Sequence, residues 1–302
     1  MREVIQKSTG ISFLFMFLFS CSFSQGKLGY FAGTGVVYYN GDINEKSNKI
    51  ISPGKIFKPF LRVGISYRVS SRIETSLGFF YGNIGGADSL ATEQDNRTRN
   101  LSFQSVIEEL SLQLEYHLFS IYRERRLNPY IFAGCGLFHF NPVAELNGTK
   151  FNLQPLGTEG QFTGSNEYSK PYKLTQVSIP VGLGIYFQLT RHWRLKIHYA
   201  NHFTFTDYLD DVSTVYPDSS LIANTPNGPQ AVLLSNRRLK GKYPAGHAER
   251  GNASLKDSFS DIGITIIFNP GMLSGGNNMG PGKFKHRNRN SFNKKTLCPA
   301  YD

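Results

Sequence analysis

The chain has a single tryptophan and three cysteines in 302 residues. So few cysteines exclude a disulfide framework and a cysteine-rich zinc module. Only 18 % of the residues are charged, against roughly 25 % in an average soluble protein. Beyond the first 25 residues there is no apolar run of about 18 or more, which excludes a helical membrane span. What the sequence has in quantity is glycine (30 residues) and rings, with 24 Phe and 16 Tyr. That many aromatics can bury ample surface, so most of the chain is not expected to be disordered. Two classes remain, a soluble all-β domain and an outer-membrane β-barrel.

Arg2 and Lys7 precede an apolar stretch from Ile11 to Phe23, and Ser24-Gln25 comes next. This is the pattern of a secretory signal with cleavage after Gln25, and residues 1–25 are excluded from the fold on that basis. Leu18-Phe19-Ser20-Cys21 also touches the lipoprotein signal, in which Cys21 would be acylated, although Phe19 fits that signal poorly. Removing the segment takes Arg2, Lys7 and Glu3 from a net charge of +11, leaving about +10. Cys135 and Cys298 then remain, far apart in sequence, and no disulfide is expected between them.

Period-two alternation dominates the chain beyond Gln25. Leu61, Val63, Ile65, Tyr67 and Val69 share one face, opposite Arg62, Gly64, Ser66 and Arg68. The same pattern recurs from Leu110 to Leu118, Val177 to Phe187, Trp193 to Phe205 and Ile262 to Phe268. Ile73–Tyr81 and two glycine-rich segments, 28–39 and 129–140, whose faces the pattern does not assign, complete eight strands. Short connections at 70–72, around 122–126 and at 190–192 alternate with long ones at 40–59, 82–105, 141–173 and 206–258. Strict sorting of short turns from long loops is the pattern of an outer-membrane barrel. The expected fold is therefore all-β, an eight-stranded antiparallel transmembrane β-barrel with long external loops over residues 26–270. Closure is required because hydrocarbon cannot satisfy an open sheet edge.

The polar face carries Arg62, Arg68, Glu74, Glu109, Glu115, Arg194, Lys196 and Asp261. Eight strands leave an interior only wide enough for side chains to fill, so these residues are expected to form a self-neutralising lumen rather than a pore. The alternative is a soluble barrel that shows these charges to water. No catalytic, cofactor or metal site is expected. His198 and His202 share a face but sit about 13–14 Å apart at roughly 3.4 Å per residue, too far to share a metal. Asp207, Asp210 and Asp211 have a spacing that oxygen-ligated Ca²⁺ could use. The plainer reading is capping of loop N–H groups and pairing with Arg237, Arg238 or Arg250. No G-x-S-x-G, H-E-x-x-H or Walker pattern is present, and no enzyme is expected.

Arg72, Arg123, Arg125, Arg126 and Arg191 fall in or beside the short turns. The segment 271–302 adds six basic residues, Lys283, Lys285, Arg287, Arg289, Lys294 and Lys295, against Asp302. This is expected to be a basic, flexible periplasmic tail. Together these residues predict a positive face that attracts an acidic partner, with anionic lipid headgroups and peptidoglycan carboxylates as competing targets. An exported chain makes nucleic acid an implausible ligand.

Several multi-residue stretches carry a resemblance. They are Tyr38-Tyr39-Asn40-Gly41-Asp42, Arg99-Asn100-Leu101-Ser102-Phe103, Pro129 to Gly134, and Phe140-Asn141-Pro142. Further on come Leu153-Gln154 through Glu159-Gly160-Gln161, Phe205 to Thr214 with Asp207, Asp210 and Asp211, and Arg250-Gly251-Asn252. In this order, over about residues 28–268, they resemble the PorG-like outer-membrane barrels of Bacteroidetes, associated with type IX secretion and gliding motility. The basic tail lies outside the resemblance. The resemblance implies an outer-membrane anchor for a periplasmic ring of the secretion machine. From the short turns and the tail, the expected location is the outer membrane with both termini periplasmic. A lipid-active barrel enzyme and a small porin are the alternatives.

Overall fold

A computed structural model of the chain describes residues 27–43, 56–121, 127–190, 192–239 and 241–270. The signal segment with Cys21, the tail with Cys298, and Arg123, Arg125, Arg126 and Arg191 lie outside the described residues.

The strands are β1 (Leu28–Asn40), β2 (Lys58–Arg68), β3 (Ile73–Ala87), β4 (Ser102–His117), β5 (Leu127–Leu146), β6 (Thr149–Asn152), β7 (Thr175–Gln188), β8 (Trp193–Thr204) and β9 (Ser258–Phe268). Each pairs antiparallel with its neighbours in the order β4-β3-β2-β1-β9-β8-β7-β5, and a β4–β5 ladder closes the ring. The short β6 extends β5 as a hairpin at the loop end. The result is a closed eight-stranded antiparallel barrel, every strand of which has two partners.

The faces obey the sequence pattern. Leu61, Leu112, Leu114 and Ile131 point outward and are 52–62 % exposed, while Arg62, Gln113 and Glu115 point inward and are buried. In the glycine-rich β1, Tyr30, Ala32, Thr34 and Val36 face out, and Gly29, Phe31, Gly33 and Gly35 face in. A continuous apolar exterior around a polar interior inverts the arrangement of a soluble barrel and is that of a membrane-spanning one. Tyr30, Tyr116 and Trp193 stand exposed at the turn end of this belt, and Tyr81, Phe203 and Phe205 near its other end. Rings at both boundaries are the usual flanks of a lipid-facing band.

Three strands run further than their alternation suggests. β3 continues to Ala87, β4 starts at Ser102 and β5 reaches Leu146, so parts of the expected loops 82–105 and 141–173 are strand. Inward residues there remain apolar and buried, including Ile84, Phe103, Ile107 and Phe140. Their outward neighbours become polar, as at Asn83, Gln104, Glu108 and His139. Above the belt the outside is wet, so the apolar stripe that marks a strand switches sides and the pattern breaks.

The two shortest turns share one device. Ser70 Oγ accepts from the backbone N–H groups of Arg72 and Ile73 at 3.3 and 3.1 Å. Thr190 Oγ1 accepts from His192 and Trp193 at 3.3 and 3.1 Å. Both side chains replace ladder partners where the chain reverses.

The facing assignment predicts an asymmetric pair of substitutions. Leu112→Arg places a charge in the lipid-facing belt and should destabilise the inserted barrel by about 2–4 kcal/mol. Gln113→Leu removes one hydrogen bond, to Ser111, and should cost about 1 kcal/mol. Urea titration of the barrel refolded into vesicles measures both, and the reverse order would mean the strand is misread by one residue.

Candidate functional site: a filled lumen beneath a tied loop cap

Alternation places the eight charged residues of the polar face inside the ring, and all are buried. They sort into two clusters. Toward the turn end, Glu74 receives Arg194 at 2.7 Å and Lys196 at 3.0 Å, and Lys196 also reaches Glu115 at 2.5 Å. Arg68 lies 3.9 Å from Glu74 and donates to Asn269, and His117 packs 3.4 Å from Glu115. Toward the loop end, Asp261 accepts from Arg62 at 3.2 Å and meets both His198 and His202 at 2.9 Å. His202 uses its other ring nitrogen on Glu109 at 2.9 Å, and Ser178 donates to the same carboxylate oxygen at 2.7 Å.

Glycines make room for rings among these charges. A Cβ on Gly184 would lie 2.6 Å from the Tyr130 ring, so Tyr130 can lie across β7 only because that position is bare. Its ring then stacks on His117 and sits 5.3 Å from the Lys196 ammonium. The space left between the clusters is about 30 Å³, bordered by Arg62, Ser66, Lys196 and His198. That is about one water's share of liquid volume and admits no solute.

Above the lumen the loops form a cap. Its elements are α1 (Gln94–Arg99), α2 (Ser219–Ala223) and α3 (Gly228–Ser235). Ile222, Ala231 and Leu234 bury into the same apolar cluster as Tyr39, Phe103 and Phe140 of the strands. Two arginines tie the loops together. Arg99 grips Asp88 with two nitrogens at 2.8 Å and donates to the backbone carbonyls of Arg250 and Asp42 at 2.7 and 3.0 Å. Arg250 pairs with Glu159 at 2.9 Å and donates to the carbonyls of Asp211 and Ser235. Glu159 in turn accepts from the backbone N–H groups of Ser213 and Thr214.

The remaining loop-motif residues serve the same network. Asn100, in the left-handed conformation at φ 58°, ends α1 and donates to the Arg237 carbonyl. Gln154 donates to the Tyr172 carbonyl. Asp42 accepts from the Asn252 N–H, Asp207 from Ser213 Oγ, and Asp210 from the N–H groups of Ile43 and Val212. Asp211 receives Thr158 at 2.5 Å and Tyr172 at 2.7 Å. The three aspartates therefore turn to different partners. Among the described residues no group of three His, Cys, Asp or Glu is arranged to hold a metal. Of the three arginines considered for them, Arg250 enters the network, whereas Arg237 donates to Ser102 and Arg238 lies over the Tyr216 ring. Asp88 and Asp257 carry no signal in the sequence pattern. Asp257 accepts from Tyr39 at 2.6 Å and from the Leu209 N–H, and only the folded chain brings these partners together.

Burial has an electrostatic consequence in the cap. It pushes the Asp207 carboxyl up to about 7, with Asp42 adding to the effect. It pushes Asp211 up to about 6 against the pull of Arg250. Asp210 and Asp257 are raised well above the usual range, by burial and then by Asp42 and Asp210 respectively. Burial disfavours the Arg250 guanidinium, but Glu159 and Asp211 outweigh it and hold the charge in place.

A family model described as a domain of unknown function, DUF6089, matches residues 8–222. The chain belongs to the DUF6089 family. That model covers the barrel as far as α2, and so includes Asp42, Arg99, Glu159 and the 207–211 aspartates but not Arg250. No curated protein matches this DUF6089 chain. Among solved structures it is similar to Neisserial surface protein A, at 9 % identity and TM-score 0.39 over 80 % of this chain and 96 % of that one. It is similar to OprG from Pseudomonas aeruginosa, at 11 % identity and TM-score 0.36 over 81 % and 99 %. It is also similar to Ail of Yersinia pestis, crystallised with a heparin analogue, at 9 % identity and TM-score 0.35 over 80 % and 99 %.

The cap can be tested by substitution and by pH. Arg250→Met leaves Glu159 buried without its cation and should destabilise the cap by about 3–5 kcal/mol. Limited proteolysis should then cut within 206–258 while the barrel strands stay resistant. For pH, a carboxyl raised above its unfolded value favours the protonated folded form, so its stabilising effect is full below about pH 4. It is lost as pH rises toward 6 for Asp211 and 7 for Asp207. Protection of the loops should fall between pH 4 and 7, and Asp207→Asn should flatten the upper part of that decline.

Proposed function

We propose that this barrel is an outer-membrane anchoring or assembly component, non-enzymatic, and that the machine it serves is a type IX secretion system of the kind linked to gliding motility. The observation that carries the reading is the filled lumen. Paired charges and rings occupy it and the tied loops roof it, so the protein offers other molecules its surfaces and not a passage. The family resemblance of the loop motifs supplies the secretion context. The apolar belt supports placement in the outer membrane, with outer-membrane lipid as its surroundings and with short turns and both termini on the periplasmic side.

The non-enzymatic reading draws on the geometry at Ser178. That hydroxyl donates to Glu109 Oε2, the same oxygen that His202 Nδ1 meets, so the imidazole contacts the carboxylate and not the hydroxyl. All three are fully buried, with no approach for a substrate. The exposed Arg72, and with it Arg123, Arg125, Arg126 and Arg191, is proposed to steer an acidic periplasmic protein such as a secretion-machine ring.

Replacing Arg123, Arg125 and Arg126 with Gln should abolish co-purification of that partner from native membranes while the barrel still inserts. Unchanged recovery at low salt would remove this face from the proposal. In planar bilayers the purified protein should carry no steady ion current, and a reproducible open channel would favour the porin reading.

A further inference from the structure

Above the lipid-facing belt the wall divides. The β3–β4 ladder runs up to Ala87 and Ser102, whereas β4 and β5 share no pair beyond Gln104 and Val143. From Val143 onward β5 is held by β6 instead. No ladder joins Ser102–Phe103 to Ala144–Glu145, and a cleft of about 270 Å³ lies where the two hairpins part. Its other borders are the turn Asp88–Leu90 and Lys58, the first residue of β2. One wall is nearly bare, since Gly85, Gly86 and Ala87 carry at most a methyl group. Ser102 and Phe103 come from the Arg99–Phe103 stretch, whose Arg99 ties the cap, so that stretch also supplies two residues of the cleft.

Charge, polarity and size together select an occupant. Lys58 and Lys150 line the cleft against one acid, Glu145, and Arg237 donates to the hydroxyl of the lining Ser102 at 3.0 Å. Lys58 is half-buried and has no hydrogen-bond or ion-pair partner among the described residues. Lys150 and Glu145 oppose each other in the β5–β6 register without forming an ion pair. A half-buried ammonium with no counter-charge is costly, and an anionic group is its complement. Ser89 and Gln104 are exposed and offer a hydroxyl and an amide, while Leu90, Val143 and Ala144 offer apolar surface. That mixture suits a ligand with hydroxyl edges and C–H faces, and an apolar one would leave Lys58 unanswered. The volume is about nine waters' share of liquid, or roughly a dozen non-hydrogen atoms at the packing of a bound solute. A bare inorganic anion would leave most of it empty, and an oligosaccharide would not fit.

We infer that this cleft is a binding site for one acidic monosaccharide, with the acid group on Lys58 and the ring hydroxyls on Ser89 and Gln104. The site lies at the loop end, opposite the turn face assigned to the periplasmic partner. It adds a ligand to the anchoring role and does not depend on that role.

The test uses the full chain in phosphatidylcholine vesicles, titrated with glucuronate and followed by saturation-transfer NMR. Wild type should give a saturable signal from the sugar C–H protons, weakened by added salt. Lys58→Gln removes the cation and should weaken binding about tenfold. Ser89→Trp fills the cleft from an exposed position and should abolish the signal while the barrel strands stay protease-resistant. Glucose, without the acid, and acetate, without the ring, should each bind at least tenfold more weakly than glucuronate. No saturable signal in wild type would overturn the site, and so would unchanged affinity in both variants. Glucose matching glucuronate would overturn the selection for an anion, and acetate matching it would overturn the sugar.

Discussion

A ladder that closes on itself is the constraint on which the rest of the molecule depends. In hydrocarbon a backbone N–H or C=O has no partner except another strand, so a sheet with two free edges is not viable there. The pairing of β4 with β5 removes the last edges. Closure at eight strands then fixes a narrow interior, and every inward position competes for the same small volume. Some large rings fit because a neighbouring position is glycine, as Tyr130 does over Gly184.

Narrowness also governs the charges. An ion removed from water is expensive to bury alone and tolerable when paired and hydrogen-bonded. The inward face answers with four acids (Glu74, Glu109, Glu115, Asp261) and four bases (Arg62, Arg68, Arg194, Lys196), each contacting an opposite charge or a histidine. His198 and His202 meet the two oxygens of one carboxylate on the neighbouring strand β9, while Arg194 of β8 reaches Glu74 of β3 across the lumen. The interior is filled by polar contacts that specify which strand faces which, where a soluble barrel would use apolar packing.

The barrel was legible in the sequence because a strand in a bilayer has one apolar face and one polar face along its whole length, as from Leu110 to Leu118. Legibility failed where the environment changes along a strand. Above the belt, β3 and β5 keep burying Ile84 and Phe140 inward while their outer faces turn polar, and the alternation that defined them disappears. The glycine-rich β1 gave no face, because glycine is equally acceptable against lipid and against a crowded ring. The charged lumen residues could be named from parity alone, but their partners could not: Glu74 and Arg194 are 120 residues apart. The cap was least legible. Arg99 and Asp88 are close in the chain, yet nothing in sequence indicates that Arg99 also holds Asp42 and Arg250.

Those ties have a consequence for how such a protein can change over time. Loops on a barrel rim are ordinarily the freest parts of the chain, each open to insertion and exchange without regard to the others. Here Arg99 reaches Asp42 across 57 positions and Arg250 across 151, and Asp42 meets Asn252 across 210. Lengthening one loop would displace anchors belonging to the others, so the outer surface is inherited as a unit. Variation should collect at rim side chains that take no part in the ties, such as that of Leu239 at 68 % exposure, and any new recognition surface would have to be painted onto a fixed roof.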